Sequence, residues 1–145
     1  MLGSLPGERS LADGQYYAHP RNQFWPLMSR VVGTDLVTLN YEDRLAALLA
    51  ARVGLWDTVA SARREGSLDG AIRDAEHAPL PHLAGTLPQL RAVAFNGKTA
   101  QRIGMAQLEG SGLDLIALPS SSPAYAAIGF EQKAERWDAL RRFLN

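Results

Sequence analysis

The chain contains no cysteine. That excludes disulfides, thiolate metal sites and a cysteine nucleophile, and it leaves the redox compartment unread. There is no surplus of either charge, with 15 Lys+Arg against 15 Asp+Glu. An extended electrostatic binder of nucleic acid draws its affinity from many neutralised phosphates, so this balance argues against one. It leaves room for an enzyme that grips a few nucleotides. No apolar run approaches the roughly 18–20 residues of a membrane helix. No basic stretch followed by an apolar one opens the chain, so no signal peptide is expected and a cytoplasmic location is. His19, His77 and His82 lack the spacing of a zinc site, and no G-x-S-x-G elbow accompanies the serines. Gly97-Lys98-Thr99 has the ending of a P-loop. The glycine a P-loop needs five residues before Gly97 is replaced by Ala92. Neither a metal nor a cofactor is expected.

What is present has the balance of one soluble domain: 145 residues, 46% hydrophobic and 21% charged. Helical and extended segments alternate, which suggests a parallel sheet covered on both faces. The strands expected are Val53–Trp56, Ala92–Phe95 and Leu113–Leu118, each short, apolar and bounded by Gly, Asn or Pro. The helices expected are Asn22–Val32, Tyr41–Arg52, Thr99–Gln107 and Glu131–Phe143. Leu45, Leu48 and Leu49 predict an apolar face on the second. Ala134, Trp137, Leu140, Arg141 and Leu144 predict one on the last, whose charges read as a solvated face. Three prolines between Pro79 and Leu90 allow only a short helix there. The Gly3–Gly7 loop needs a strand to hold it, yet only Met1 and Leu2 precede it. A gap or a two-residue stub is therefore expected beside Val53–Trp56, in a sheet less stable than one extended by about five apolar residues, since buried unpaired backbone groups cost about 1–3 kcal/mol each.

Ligands of open α/β sheets bind beyond the carboxyl ends of the strands. The segments there are Gly3-Ser4-Leu5-Pro6-Gly7-Glu8-Arg9-Ser10, Gln15-Tyr16-Tyr17-Ala18-His19-Pro20-Arg21-Asn22-Gln23-Phe24-Trp25, Trp56-Asp57-Thr58-Val59-Ala60-Ser61, Asn96-Gly97-Lys98-Thr99 and Pro119-Ser120-Ser121-Ser122-Pro123-Ala124. Aromatic rings and amides predominate. An enzyme acting on a DNA base flips it out and stacks it in a pocket. Phe24 offers a stacking face and Tyr17 a wall. Asn22 and Asp57 offer hydrogen bonds to a base edge or a water. Each has a plainer alternative: Asn22 as a helix cap, Asp57 as a cap or ion pair, Phe24 and Tyr17 as packing. Ser120, Ser121, Ser122 and Pro123 form a small loop whose hydroxyls and N–H groups suit phosphates, or a polar turn.

The motifs in their order resemble the uracil-DNA glycosylase superfamily. Gly3-x-x-Pro6-Gly7 with His19-Pro20-x-Asn22-x-Phe24-Trp25 resembles the first active-site motif of its mismatch-specific and thymine-type members. Phe95-Asn96-Gly97-Lys98 resembles their internal strand-turn, and Leu118-Pro119-Ser120-Ser121-Ser122-Pro123 their second motif. Gly-Ser-Leu-Pro-Gly, Gln-Tyr-Tyr, Leu-Trp-Asp and Leu-Pro-Ser-Ser-Ser-Pro-Ala together are most similar to the hypoxanthine (deoxyinosine) branch. The resemblance runs from Gly3 to about Phe130. It implies a three-layer α/β/α sandwich around a short parallel sheet of about four strands, forming one domain over residues 1–145 with its first strand truncated. It implies a monofunctional, monomeric glycosylase that removes a deaminated base from DNA, with no membrane role. Asn22 is then the catalytic residue. Ser4, Leu5, Pro6, Tyr17, Phe24, Asp57 and Asn96 face the substrate base, and Ser120–Ser122 with Pro123 face the DNA backbone. Leu5 stands where mismatch-type members carry Asn, and Leu118 where uracil enzymes carry His. Both departures argue against strong uracil excision and move the polar role to Asn22. The alternatives are a uracil or mismatch-specific glycosylase and a non-catalytic nucleic-acid-binding module on the same fold.

Overall fold

The computed structural model describes residues 2–3, 16–18, 20–57, 59–64, 72–77 and 80–144, with the backbone alone at 2–3, 57, 59–64 and 72–77. Two apolar strands of period two organise it. Strand β5 (Ala92–Asn96) and strand β6 (Asp114–Leu118) run parallel, Ala92 opposite Asp114 and Asn96 opposite Leu118. Successive side chains point to opposite faces. Val93 and Phe95 therefore enter one core, and Ala94 enters the other together with Ile116 and Leu118.

The other edge is built from two very short strands. Strand β1 (Leu2–Gly3) lies between β5 and strand β2 (Trp56–Asp57), with Leu2 opposite both Trp56 and Phe95 and Gly3 opposite Asp57. The sheet order is β2-β1-β5-β6, every neighbouring pair parallel. The two-residue stub expected from the sequence is thus present and central. Strand β2 begins three residues later than expected. The reason is local: Val53 N–H donates to Leu48 O and Arg52 N–H to Leu49 O, with Arg52 left-handed at φ 62. That is a Schellman motif. It commits the Val53 amide to closing helix α2 (Tyr41–Ala50) rather than to a strand ladder.

Helix α1 (Phe24–Val32) buries Phe24, Trp25, Leu27, Met28 and Val31, an i, i+3, i+4, i+7 stripe, and stops at Gly33 with φ 74. It packs with helix α5 (Phe130–Trp137) and the 3-10 turn that follows (Asp138–Phe143) to form one outer layer. The single helix expected over 131–143 is therefore two segments. The opposite layer is helix α3 (Leu80–Gly85) and helix α4 (Lys98–Leu108), over Val93 and Phe95. A Cβ on Gly104 of α4 would stand 2.2 Å from Phe95 Cε1, so glycine is what lets helix and sheet approach there. These layers are the three-layer α/β/α arrangement.

Two expectations are corrected. Of the leucines on α2, only Leu48 is buried; Leu45 is 37% and Leu49 77% exposed. Helical spacing says which side chains share a face, not how wide a surface awaits them. The segment read as a loop after β2 continues into an antiparallel hairpin, strand β3 (Val59–Arg64) with strand β4 (Ile72–His77). Its small alternating residues, Val59-Ala60-Ser61-Ala62, carry a weak period-two signal.

Candidate functional site

The loops that leave β5 and β6 meet the segment entering α1 at the carboxyl edge of the sheet. Ser121 joins them. Its N–H donates to Asn96 Oδ1 at 2.8 Å, and its carbonyl accepts from Gln23 N–H at 2.9 Å. Its hydroxyl accepts from Asn96 Nδ2 at 2.9 Å and donates to Asn22 Oδ1 at 2.8 Å.

The direction of every proton in this chain is settled by backbone amides, which only donate. Ser121 N–H requires the Asn96 oxygen, so the Asn96 NH2 faces the Ser121 hydroxyl. That hydroxyl must then donate onward. At the far end Phe24 N–H donates to the same Asn22 Oδ1 at 3.0 Å. The Asn22 oxygen thus accepts two hydrogen bonds, which fills a carbonyl's two lone pairs. Its Nδ2 is the group left for a ligand. The cap role weighed against the site role for Asn22 falls to a different residue, since the helix N-cap is Gln23; Asn22 stands one residue earlier, where its oxygen closes an Asx turn onto Phe24 N–H and its nitrogen is presented.

Asn96 and Ser121 are buried, at 7% and 1% exposure. Both were expected to touch substrate. Their polar atoms bond each other, because Asn96 ends a core strand and the 119–123 loop folds over it. Pro119, also buried, accepts from Trp137 Nε1 at 2.9 Å. Ser120, Ser122 and Pro123 form the outer part of the loop. Ser122 N–H donates to Ser120 Oγ at 3.1 Å and Ala124 N–H to Ser122 Oγ at 3.2 Å. Each hydroxyl keeps its own O–H for donation. Gly97, at φ 98, lets the β5 turn pass this loop, since a Cβ there would meet Ser120 Cβ at 3.2 Å.

Phe24 was expected to offer a free stacking face, but it is fully buried. The Tyr17 ring lies on it, centroids 3.9 Å apart and planes 13° from parallel, and Trp25 and Trp137 meet it edge-on. Tyr17 is half-buried and left-handed at φ 54, an outlying conformation for a bulky side chain. Its neighbour Tyr16 is tied to α2, Tyr16 N–H donating to Tyr41 Oη at 3.1 Å. Tyr17 is therefore the half-buried ring lying over Phe24, with the Tyr16 ring 6.1 Å from it. Asp57 lies on β2 opposite Gly3, at the sheet edge where the sequence placed it, and the backbone alone is described there. Ser4, Leu5 and Pro6 lie outside the described residues. Among the described residues no cluster of three or more His, Asp or Glu could hold a metal.

Gln23 and Lys133 were not anticipated. Lys133, one of two lysines in the chain, was read as part of a solvated face and is 2% exposed. Its Nζ donates to Gln23 Oε1 at 2.8 Å, approaches Ser122 O at 3.5 Å and lies 5.4 Å from the centroid of the Tyr125 ring. Burial lowers its pKa below that of an ordinary lysine. A signal existed: Phe130, Lys133, Ala134 and Trp137 are spaced i, i+3, i+4, i+7, which puts the lysine on the apolar stripe.

The sequence model of the family described as "Uracil DNA glycosylase superfamily" matches residues 1–141. A protein of Methanosarcina acetivorans named hypoxanthine DNA glycosylase is 38% identical over 142 residues, 98% of this chain and 89% of that protein. One of the same name from Methanosarcina barkeri is 45% identical over 98 residues, 68% of this chain and 62% of that protein's length. A solution NMR structure of a candidate uracil DNA glycosylase from Methanosarcina acetivorans superposes with a TM-score of 0.85 at 37% identity, over 97% of this chain and 87% of that one.

Proposed function

The chain belongs to the uracil DNA glycosylase superfamily, and we propose that it is a monofunctional DNA glycosylase that flips a deaminated base, hypoxanthine foremost, and hydrolyses its N-glycosidic bond. The observation that carries this reading is the set orientation of Asn22. Its oxygen is filled from within the protein, so the site presents an NH2 donor at the sheet's carboxyl edge.

Breaking the bond leaves positive charge on the sugar and negative charge on the departing base. Preorganised donors aimed at the developing negative charge are the usual large contribution to such a barrier. Asn22 Nδ2 donates to an oxo or ring-nitrogen acceptor of the leaving base, or to the oxygen of the attacking water. It does not accept a proton. Tyr17, braced from behind by Phe24, supplies the stacking platform. The Asp57 carboxylate accepts the N1–H of hypoxanthine. Ser120, Ser122 and Pro123 contact the flanking phosphates, with Ser121 holding their loop to Asn22. The shared names of the two Methanosarcina relatives support hypoxanthine as the base. The enzyme works as a cytoplasmic monomer.

The test is incubation with duplex oligonucleotides carrying a single inosine, uracil or xanthine, followed by alkali. Strand breaks at inosine above those at uracil are expected. An absence of alkali-labile sites on all three, with DNA binding intact, would leave a binding module and overturn the enzyme reading.

A further inference from the structure

The protein carries no net charge, so a cation placed beside the loop read as facing the DNA backbone bears on how the chain would hold a phosphate. Lys133 stands directly behind that loop. Buried ammonium groups are ordinarily paired, because desolvation is costly. Among the described residues no carboxylate pairs with Lys133; its contacts are the Gln23 amide oxygen, the Ser122 carbonyl and the face of Tyr125. The acidic neighbours on its own helix, Glu131 and Glu135, are exposed, and Glu131 is bound to Arg30 at 2.7 Å. As a packing element a lysine here is a poor choice, since an apolar side chain of the same length fills such a site at no charge cost.

Resting on the glycosylase reading above, we propose that Lys133 is the buried cation of the phosphate site, acting through Gln23 and the 120–123 loop on one phosphodiester of the substrate strand. Gln23 is the relay. Its Oε1 is held by the ammonium, so its Nε2 is the donor it has left to present, and that donor is strengthened by the charge behind it. Gln23 is also fixed to the loop by its backbone, through Ser121 O. In a low-dielectric setting one charge acts on a neighbouring phosphate more strongly than the same charge in water. A neutral protein thereby holds DNA with a cation beneath the loop rather than a basic surface.

The test is the salt dependence of binding to an undamaged duplex and to the same duplex carrying one inosine, measured by fluorescence anisotropy between about 50 and 200 mM salt, for the wild type, Lys133→Met and Gln23→Glu. Lys133→Met keeps length and packing and removes the charge. Gln23→Glu leaves the lysine and neutralises it with a carboxylate, and it stands in if Lys133→Met does not fold. Each variant is expected to give a slope of log K on log salt shallower by about 0.9, the contribution of one phosphate; its defect is then about threefold larger at the low salt than at the high. A purely structural lysine would lower affinity equally at every salt concentration. Variant lines parallel to the wild type would therefore overturn the proposal while leaving the glycosylase reading intact. A loss confined to inosine-containing DNA would assign Gln23 to the base and overturn the phosphate role. A wild type that binds no DNA would remove the glycosylase reading itself.

Discussion

Asn22→Asp separates the two things an amide can do. The substitution is isosteric. The aspartate keeps an oxygen where Phe24 N–H, at 3.0 Å, and the Ser121 hydroxyl, at 2.8 Å, already donate. It removes the NH2 group and puts a second acceptor in its place. On stability the expected effect is neutral to favourable: a carboxylate just ahead of the N-cap of α1, accepting from its first N–H, meets the positive end of the helix, typically worth about 0.3–1 kcal/mol. On catalysis the expected effect is opposite. Losing one preorganised donor at a developing anion costs about 10²–10³ in rate, or about 2.7–4 kcal/mol. The added negative charge repels both the leaving base and the flanking phosphates. The assay is single-turnover release of hypoxanthine from a 5′-labelled duplex with enzyme in excess, alongside thermal melting. The expected variant melts at or slightly above the wild type and is at least a hundredfold slower. If Asn22 worked by accepting a proton from water, aspartate would be the better acceptor. An Asn22→Asp enzyme with near-normal turnover would therefore refute the orientation argued from the Ser121 chain.

Ser121→Ala leaves the buried Asn96 NH2 without its acceptor and the Asn22 oxygen with one donor fewer; at about 1–3 kcal/mol for an unmade buried hydrogen bond, chemical denaturation should show a clear loss, accompanied by reduced excision. Tyr17→Ala removes a stacking platform worth about 1–3 kcal/mol per base, so binding to inosine DNA should weaken more than binding to undamaged DNA; equal losses would make the ring ordinary packing. Gly104→Ala forces a Cβ toward the Phe95 ring at 2.2 Å, and overpacking of this kind costs about 1–3 kcal/mol, read as a lower melting temperature with KM unchanged. Burial lowers the Lys133 pKa in the folded chain, so on raising pH the folded form sheds this proton before the unfolded form does. Between the two pKa values the unfolded chain binds more protons, and stability from this group rises with pH. The melting temperature of the wild type relative to Lys133→Met should therefore climb as pH approaches the ordinary lysine range, and a difference that is flat or falling would contradict the unpaired burial.

The sequence by itself determined the order and type of the core elements. The strands read at Ala92–Phe95 and Leu113–Leu118 and the helices read from Asn22, Tyr41 and Thr99 lie within two residues of those observed at their starts, and they follow from period, caps and breakers, which are local properties. The polar loops could be assigned to one edge because parallel strands all end at the same side. What only the tertiary structure decided was which polar atoms remain available to a ligand. Ser121 and Asn96 look like ligand groups in the sequence, yet they satisfy each other, and Phe24 looks like a platform until Tyr17 is found lying on it. Asn22 keeps its place but is restricted to donating by a hydroxyl 99 residues away. Lys133 reads as a surface charge until the loop from β6 and the residue before α1 close over it. Hydrogen-bond direction and burial depend on groups distant in the chain, and periodicity in one segment carries no record of what another segment will bring to meet it.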